Sequence, residues 1–284
     1  MHFEDGKKTR YQSFSLNGGG PVGSGGDKEW LIQRAKEDKY LVISQVEKFI
    51  YEGDRIIGSN VLANLPGFGT YECHCTYEYD ADGELARIVD VSSDGATQIS
   101  YARLPEETSV DALVERLAHQ MADVVVETLM RNSVDQPLAA LSMCYRRVSY
   151  YLPFLEVQSL ADREGAKEAW GEELDWEQLF LPGGRSFIQI EKGEMEEPLQ
   201  QLMQIMQNSE NYDIGTTMLR RAAYLLTRGR LNGKIAVSED FVAYAIDWEV
   251  EGHEFEQILR ECGQREEVIM DWKKRGWIRP PDEE

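Results

Sequence analysis

The chain has 284 residues, 51 of them acidic and 30 basic, for a formal charge of −21. A field of that sign repels nucleic acid and anionic membranes and attracts cations and basic proteins. With 42% hydrophobic residues, including six Trp and thirteen Tyr, there is ample material for a core, which excludes global disorder.

Residues 1–26 read as an arm and a linker. "TRYQSFSLN" (9–17) has strand character and could add to a sheet edge, or be a remnant outside the fold. "GGGPVGSGG" (18–26) can bury nothing and predicts a flexible tether. Its opening, "MHFEDGKKTR", lacks the apolar stretch of a secretion signal. No apolar run nears the roughly 20 residues that span a bilayer. The four cysteines, Cys73, Cys75, Cys144 and Cys262, are too scattered for a disulfide framework. Together these predict a cytoplasmic protein with no membrane partner.

Asp27 is a plausible helix cap, and Trp30, Leu31, Ala35, Leu41 and Val42 predict a helix that breaks or continues near Lys39 and ends by Gly53 or Gly58. "NLPGFG" (64–69) is a turn cluster. Three β-rich runs follow, near 70–79, 84–92 and 96–103, separated by "DADG" and "SSDG". An Asp-Gly step between such runs signals a hairpin, because glycine accepts the positive φ of the turn. The spacing predicts an antiparallel meander. Over 108–132 the period becomes helical, with Val110, Val114, Leu117, Met121 and Val124 in one stripe and Thr108 or Ser109 as cap. A helix after a meander is expected to pack across it.

Beyond Pro137, "LSMCYRRVSYYLPFLEVQSL" predicts one or two strands, Leu155–Ser159 among them. Short helices are expected near 161–170 and 174–180, and another strand at 185–193. Two amphipathic helices come next, the first opened by Pro198 and carrying Leu199, Leu202, Met203 and Met206, the second carrying Met218, Leu219, Ala222, Leu225 and Leu226. "DFVAYAID" (240–247) predicts a strand, and two helices close the chain. The expected class is α+β: an arm over 1–26, a helix-covered meander domain over 27–136, and a helix-rich α+β portion over 137–284 that either stands alone or shares one core.

Catalytic signatures are few. In a strand, Cys73 and Cys75 face one side and His74 the other. No second Cys/His pair completes a tetrahedral zinc set, so two small buried thiols are expected. His2, His119 and His253 stand in no H-E-x-x-H arrangement, and no Ser sits in a G-x-S-x-G elbow. A Cys–His nucleophile pair assembles in space and leaves no local signature. The glycine-rich stretch lacks a phosphate-loop pattern, and no cofactor is expected.

The distinctive feature is "DFVAYAIDWEVEGHEFE" (240–256), with Asp240, Asp247, Glu249, Glu251, Glu254 and Glu256 and no Lys or Arg among them. If the chain stays extended, Asp247, Glu249 and Glu251 point one way and Trp248 and Val250 the other. That pattern suits a hard cation in a metal-dependent hydrolase, a solvated strand end running into a helix N-terminus, or a docking face for a basic protein. A structural subunit of a larger assembly would instead show a broad apolar patch. Other clusters favour docking. Trp170 precedes Glu172, Glu173, Asp175, Trp176 and Glu177, and "EKGEMEEP" lies at 191–198. Trp170, Trp176, Phe180, Trp248 and Phe255 are candidate anchors, since buried aromatics carry most interface energy while charge sets encounter rate.

Over about 150–280 the chain resembles uncharacterised bacterial proteins grouped with polymorphic-toxin immunity proteins. The likeness rests on Asp240, Phe241, Val242, Tyr244, Asp247 and Glu249, and on "ILRECG" downstream. It implies a non-enzymatic cytosolic binder that neutralises a cognate toxin. The front meander takes no part in it.

Overall fold

The computed structural model describes residues 2–4, 6–16, 41–65, 69–132, 136–146, 150–171, 174, 179–180, 187–249 and 254–278. The chain is α+β and divides into two compact units, Met1–Arg103 and Leu104–Glu284. No helix among the described residues is long and apolar enough to cross a membrane.

The first unit is a seven-stranded antiparallel meander with its strands in chain order: β1 (His2–Glu4), β2 (Lys7–Leu16), β3 (Leu41–Glu52), β4 (Arg55–Leu65), β5 (Gly69–Tyr79), β6 (Leu85–Ser92) and β7 (Thr97–Ala102). The last three match the predicted runs. Gly83 and Gly95, at φ +84° and +85°, supply the positive φ that their Asp-Gly turns require. Two expectations are corrected. The stretch 2–16 is not a loose arm, since β2 pairs with β3 from Arg10↔Lys48 to Leu16↔Leu41. The expected helix over 27–52 gives way to a strand from Leu41 onward, while 17–40, tether included, lies outside the described residues. Val42, Val46, Phe49 and Ile50 imitate a helical stripe, but β-branched and aromatic residues dominate this run, and Glu52↔Arg55 closes it into a hairpin with β4.

The second unit holds the apolar core, which extends in sequence from Leu113 to Ile278. Its sheet has three strands in the order β10 (Val237–Asp247), β8 (Leu138–Arg146), β9 (Tyr150–Ser159). β9 is antiparallel to β8, and β10 is parallel to it. A parallel pair needs a long crossover, here made by helices. They are α2 (Leu160–Trp170), α3 (Glu196–Ser209) and α4 (Asp213–Leu225), after α1 (Val110–Arg131) and before α5 (Phe255–Glu261) and α6 (Glu266–Lys274).

Ser109 caps α1 by accepting from the Ala112 amide at 3.1 Å. The buried stripe of α1 runs through Leu113, Leu117, Met121, Val125 and Leu129, rotated from the predicted one; Val114 and Val124 lie at its margin. This helix belongs to the second unit, where it packs on α4, rather than to the meander unit. Within the expected strand at 185–193, the described residues 187–193 form one bridge, Leu155↔Ile188, while 185 and 186 lie outside the described residues. On β10, the Thr227 hydroxyl accepts from the Ala243 amide and donates to its carbonyl, both at 3.0 Å.

Candidate functional site

β8 and β10 run parallel and end side by side at Arg146 and Asp247. Beyond such carboxyl ends, α/β sheets commonly bind ligands. A cleft of about 630 Å³ opens there. Its walls come from the ends of both strands (Tyr145, Arg146, Asp247, Glu249), from the α3–α4 junction (Glu210, Asn211, Tyr212, Asp213) with Thr216 and Arg220 of α4, and from Glu254 before α5.

The extended geometry expected for 240–251 stops at Asp247. The Asp247 Oδ1 accepts from the Glu249 amide at 3.1 Å, an aspartate turn that bends the chain out of the strand. Glu249 therefore follows a turn and not the strand's alternation. The turn leaves Trp248 56% exposed. Its ring stacks on Phe187, itself 47% exposed, with centroids 5.8 Å apart and planes at 17°. Phe154 of β9 adjoins both rings.

Among the described residues, five carboxylates line the cleft against two guanidiniums. Arg146 reaches Glu249 only at 3.9 Å, with both side chains well exposed, so the pair contributes little. Arg220 is ion-paired with Glu261 outside the cleft lining. The described lining therefore carries more acids than bases.

Asp240 and Glu256, in the same run, have cationic neighbours, which corrects the expectation of an unanswered run. Asp240 pairs with Arg163 at 2.6 Å. Glu256 takes Arg260 at 2.6 Å and Lys273 at 2.9 Å. Burial works to raise the Glu256 pKa, but the hydrogen bonds and charges of Lys273 and Arg260 outweigh it and hold the carboxyl below its ordinary value. A depressed folded-state pKa contributes stability above the unfolded value, about 4.3 for Glu, and loses it as pH falls through the folded value. Glu256→Gln should thus lower stability at neutral pH by about 1–3 kcal/mol. The gap from wild type should close below about pH 4, as read by urea denaturation across a pH series.

The predicted anchors separate. Trp170 is 48% exposed at the end of α2. Phe255 and Phe180 are buried and pack together with centroids 4.9 Å apart, beside Tyr244 and Trp272. They are corrected from surface anchors to core, because α5 turns the Phe255 ring inward. Glu172, Glu173, Asp175, Trp176, Glu177 and Glu251 lie outside the described residues. Glu210 and Asp213, at the cleft, and Phe187, against Trp248, were not anticipated, because segments far apart in sequence bring them there.

Burial pushes the Cys144 and Cys262 thiols up to about 12, far from the thiolate form at neutral pH. His119 pairs with Glu115 at 3.2 Å, and His253 lies outside the described residues. Metal-ligand proximity, among the described residues, is reached by Cys73, Cys75 and Asp90, whose ligand atoms all lie within 4.8 Å of one another, and not by the cleft carboxylates. Comparison with protein-family models, curated proteins and solved structures finds no match.

Proposed function

We propose that this chain is a non-enzymatic acidic binding module of immunity or inhibitor type, which occludes a basic protein partner such as a toxin. The carrying observation is that Trp248, exposed and stacked on Phe187, is flanked in sequence by Asp247 and Glu249, two acids of the cleft wall. A Lys or Arg of the partner would enter beside Glu249 and Glu254, while an apolar group would cover the rings. Aromatic centres ringed by charge are the anatomy of interface hot spots.

The test is calorimetric titration with the product of the adjacent reading frame. Trp248→Ala should weaken binding about 30-fold, the scale of a hot-spot loss of about 2 kcal/mol. Glu249→Gln should mainly slow association. Affinity should fall steeply as salt shortens the Debye length from about 10 Å at 0.1 M to about 3 Å at 1 M. Salt-independent affinity, or binding indifferent to Trp248→Ala, would sink the reading.

A further inference from the structure

The geometry points to a zinc site on one face of the meander, formed by the thiolates of Cys73 and Cys75 and the carboxylate of Asp90. It lies in the first unit and does not depend on the docking cleft.

β5 and β6 place it. Cys75 and Asp90 are directly opposed across the ladder, so their side chains leave the same face, and Cys73, two residues earlier on β5, joins them. The two sulfurs stand 3.9 Å apart. Two thiolates at about 2.3 Å from one tetrahedral zinc would be about 3.8 Å apart. Asp90 completes the trio from the neighbouring strand, with ligand atoms within 4.8 Å of both sulfurs. Its carboxylate is oriented by the Ser100 hydroxyl, which donates at 2.9 Å; donors behind a ligand commonly fix its geometry. Glu47 follows on the same face, held by Ser59 at 2.8 Å and Tyr77 at 3.2 Å. Sulfur with one carboxylate selects a borderline-soft divalent ion over magnesium or calcium, and three protein ligands leave a fourth position for water.

Both thiols must give up their protons to bind the metal. Zinc entry forms two Zn–S bonds and one Zn–O bond, and two protons leave to solvent. Binding therefore weakens as pH falls.

The experiment titrates the full, reduced chain with Cd²⁺, following thiolate-to-metal absorption, and then with Zn²⁺ against a chromophoric chelator. One metal per chain is expected, with proton release. Cys73→Ser and Cys75→Ser should each reduce affinity more than about tenfold, and Asp90→Asn by about 10–100-fold with the thiolate absorption retained. Cys144→Ser should change nothing. Asp90→Asn keeps both cysteines, so the test holds even if a serine variant misfolds. No thiolate absorption, absorption lost in Cys144→Ser, or affinity unmoved by Asp90→Asn would overturn the site.

Discussion

Replacing Asp240 by alanine is expected to destabilise the second unit by about 3–5 kcal/mol, because it strands a buried cation. The Arg163 side chain is only 2% exposed, whereas that of Asp240 is 35% exposed. The Nη1 of Arg163 donates to Asp240 at 2.6 Å and its Nη2 to the Ala139 carbonyl at 2.6 Å, while the guanidinium lies 5.7 Å from the Trp272 ring centre. Burial pulls the Arg163 pKa down and Asp240 opposes that pull. Without the carboxylate, the Gln158 amide oxygen at 3.5 Å, the carbonyl and the ring remain, but among the described residues no anion is in direct hydrogen-bond contact. The reverse change, Arg163→Met, leaves a carboxylate already open to water. Its charge penalty should be smaller, and the remaining loss should come from the bond to β8 and the packing. Urea midpoints for the two variants read the asymmetry. A loss under about 1 kcal/mol for Asp240→Ala would mean that water reaches the guanidinium.

Phe255→Ala is expected to cost about 3–5 kcal/mol, the range for deleting a buried aromatic ring. The ring packs on Phe180 at 4.9 Å and edge-on to Tyr244 at 5.2 Å, and Trp272 touches Phe180 at 5.0 Å. Truncation opens a void inside this cluster, which neighbours held by β10 and α6 cannot fill. Trp248→Ala removes a half-exposed ring and should shift stability by well under 1 kcal/mol. Thermal unfolding of the two variants thus separates a core aromatic from a surface one only seven positions away. An unchanged midpoint for Phe255→Ala would place its ring outside the core.

Local chemistry made the back of the meander legible. The Asp-Gly turns fixed β5, β6 and β7, and Thr108 or Ser109 as cap marked the start of α1. The front strands were hidden because Val42, Val46, Phe49 and Ile50 fit a helical stripe as well as a strand, and only pairing with β2 and β4 decides between them. Half of the cleft was visible as the acids near Asp247. Glu210 and Asp213 arrive through the α3–α4 junction, which no local pattern announces. The register of the first Asp-Gly hairpin could have placed Asp90 opposite Cys75, since counting outward from that turn pairs strand residues, although one register shift near Glu78 complicates the count. Phe255 failed as an anchor because its acidic neighbours suggested a wet surface, while the helix period turns that one position inward.

The Thr227 hydroxyl takes up both main-chain groups of Ala243 midway along β10, and the Ile188 main chain does the same for Leu155 midway along β9. Each flank of the small sheet therefore has its central backbone groups spoken for. An incoming strand would find no continuous ladder to extend, which guards against edge-to-edge aggregation and closes the β-augmentation route of peptide capture. At these two positions the side chains, and not the backbone, are what each sheet edge offers to its surroundings.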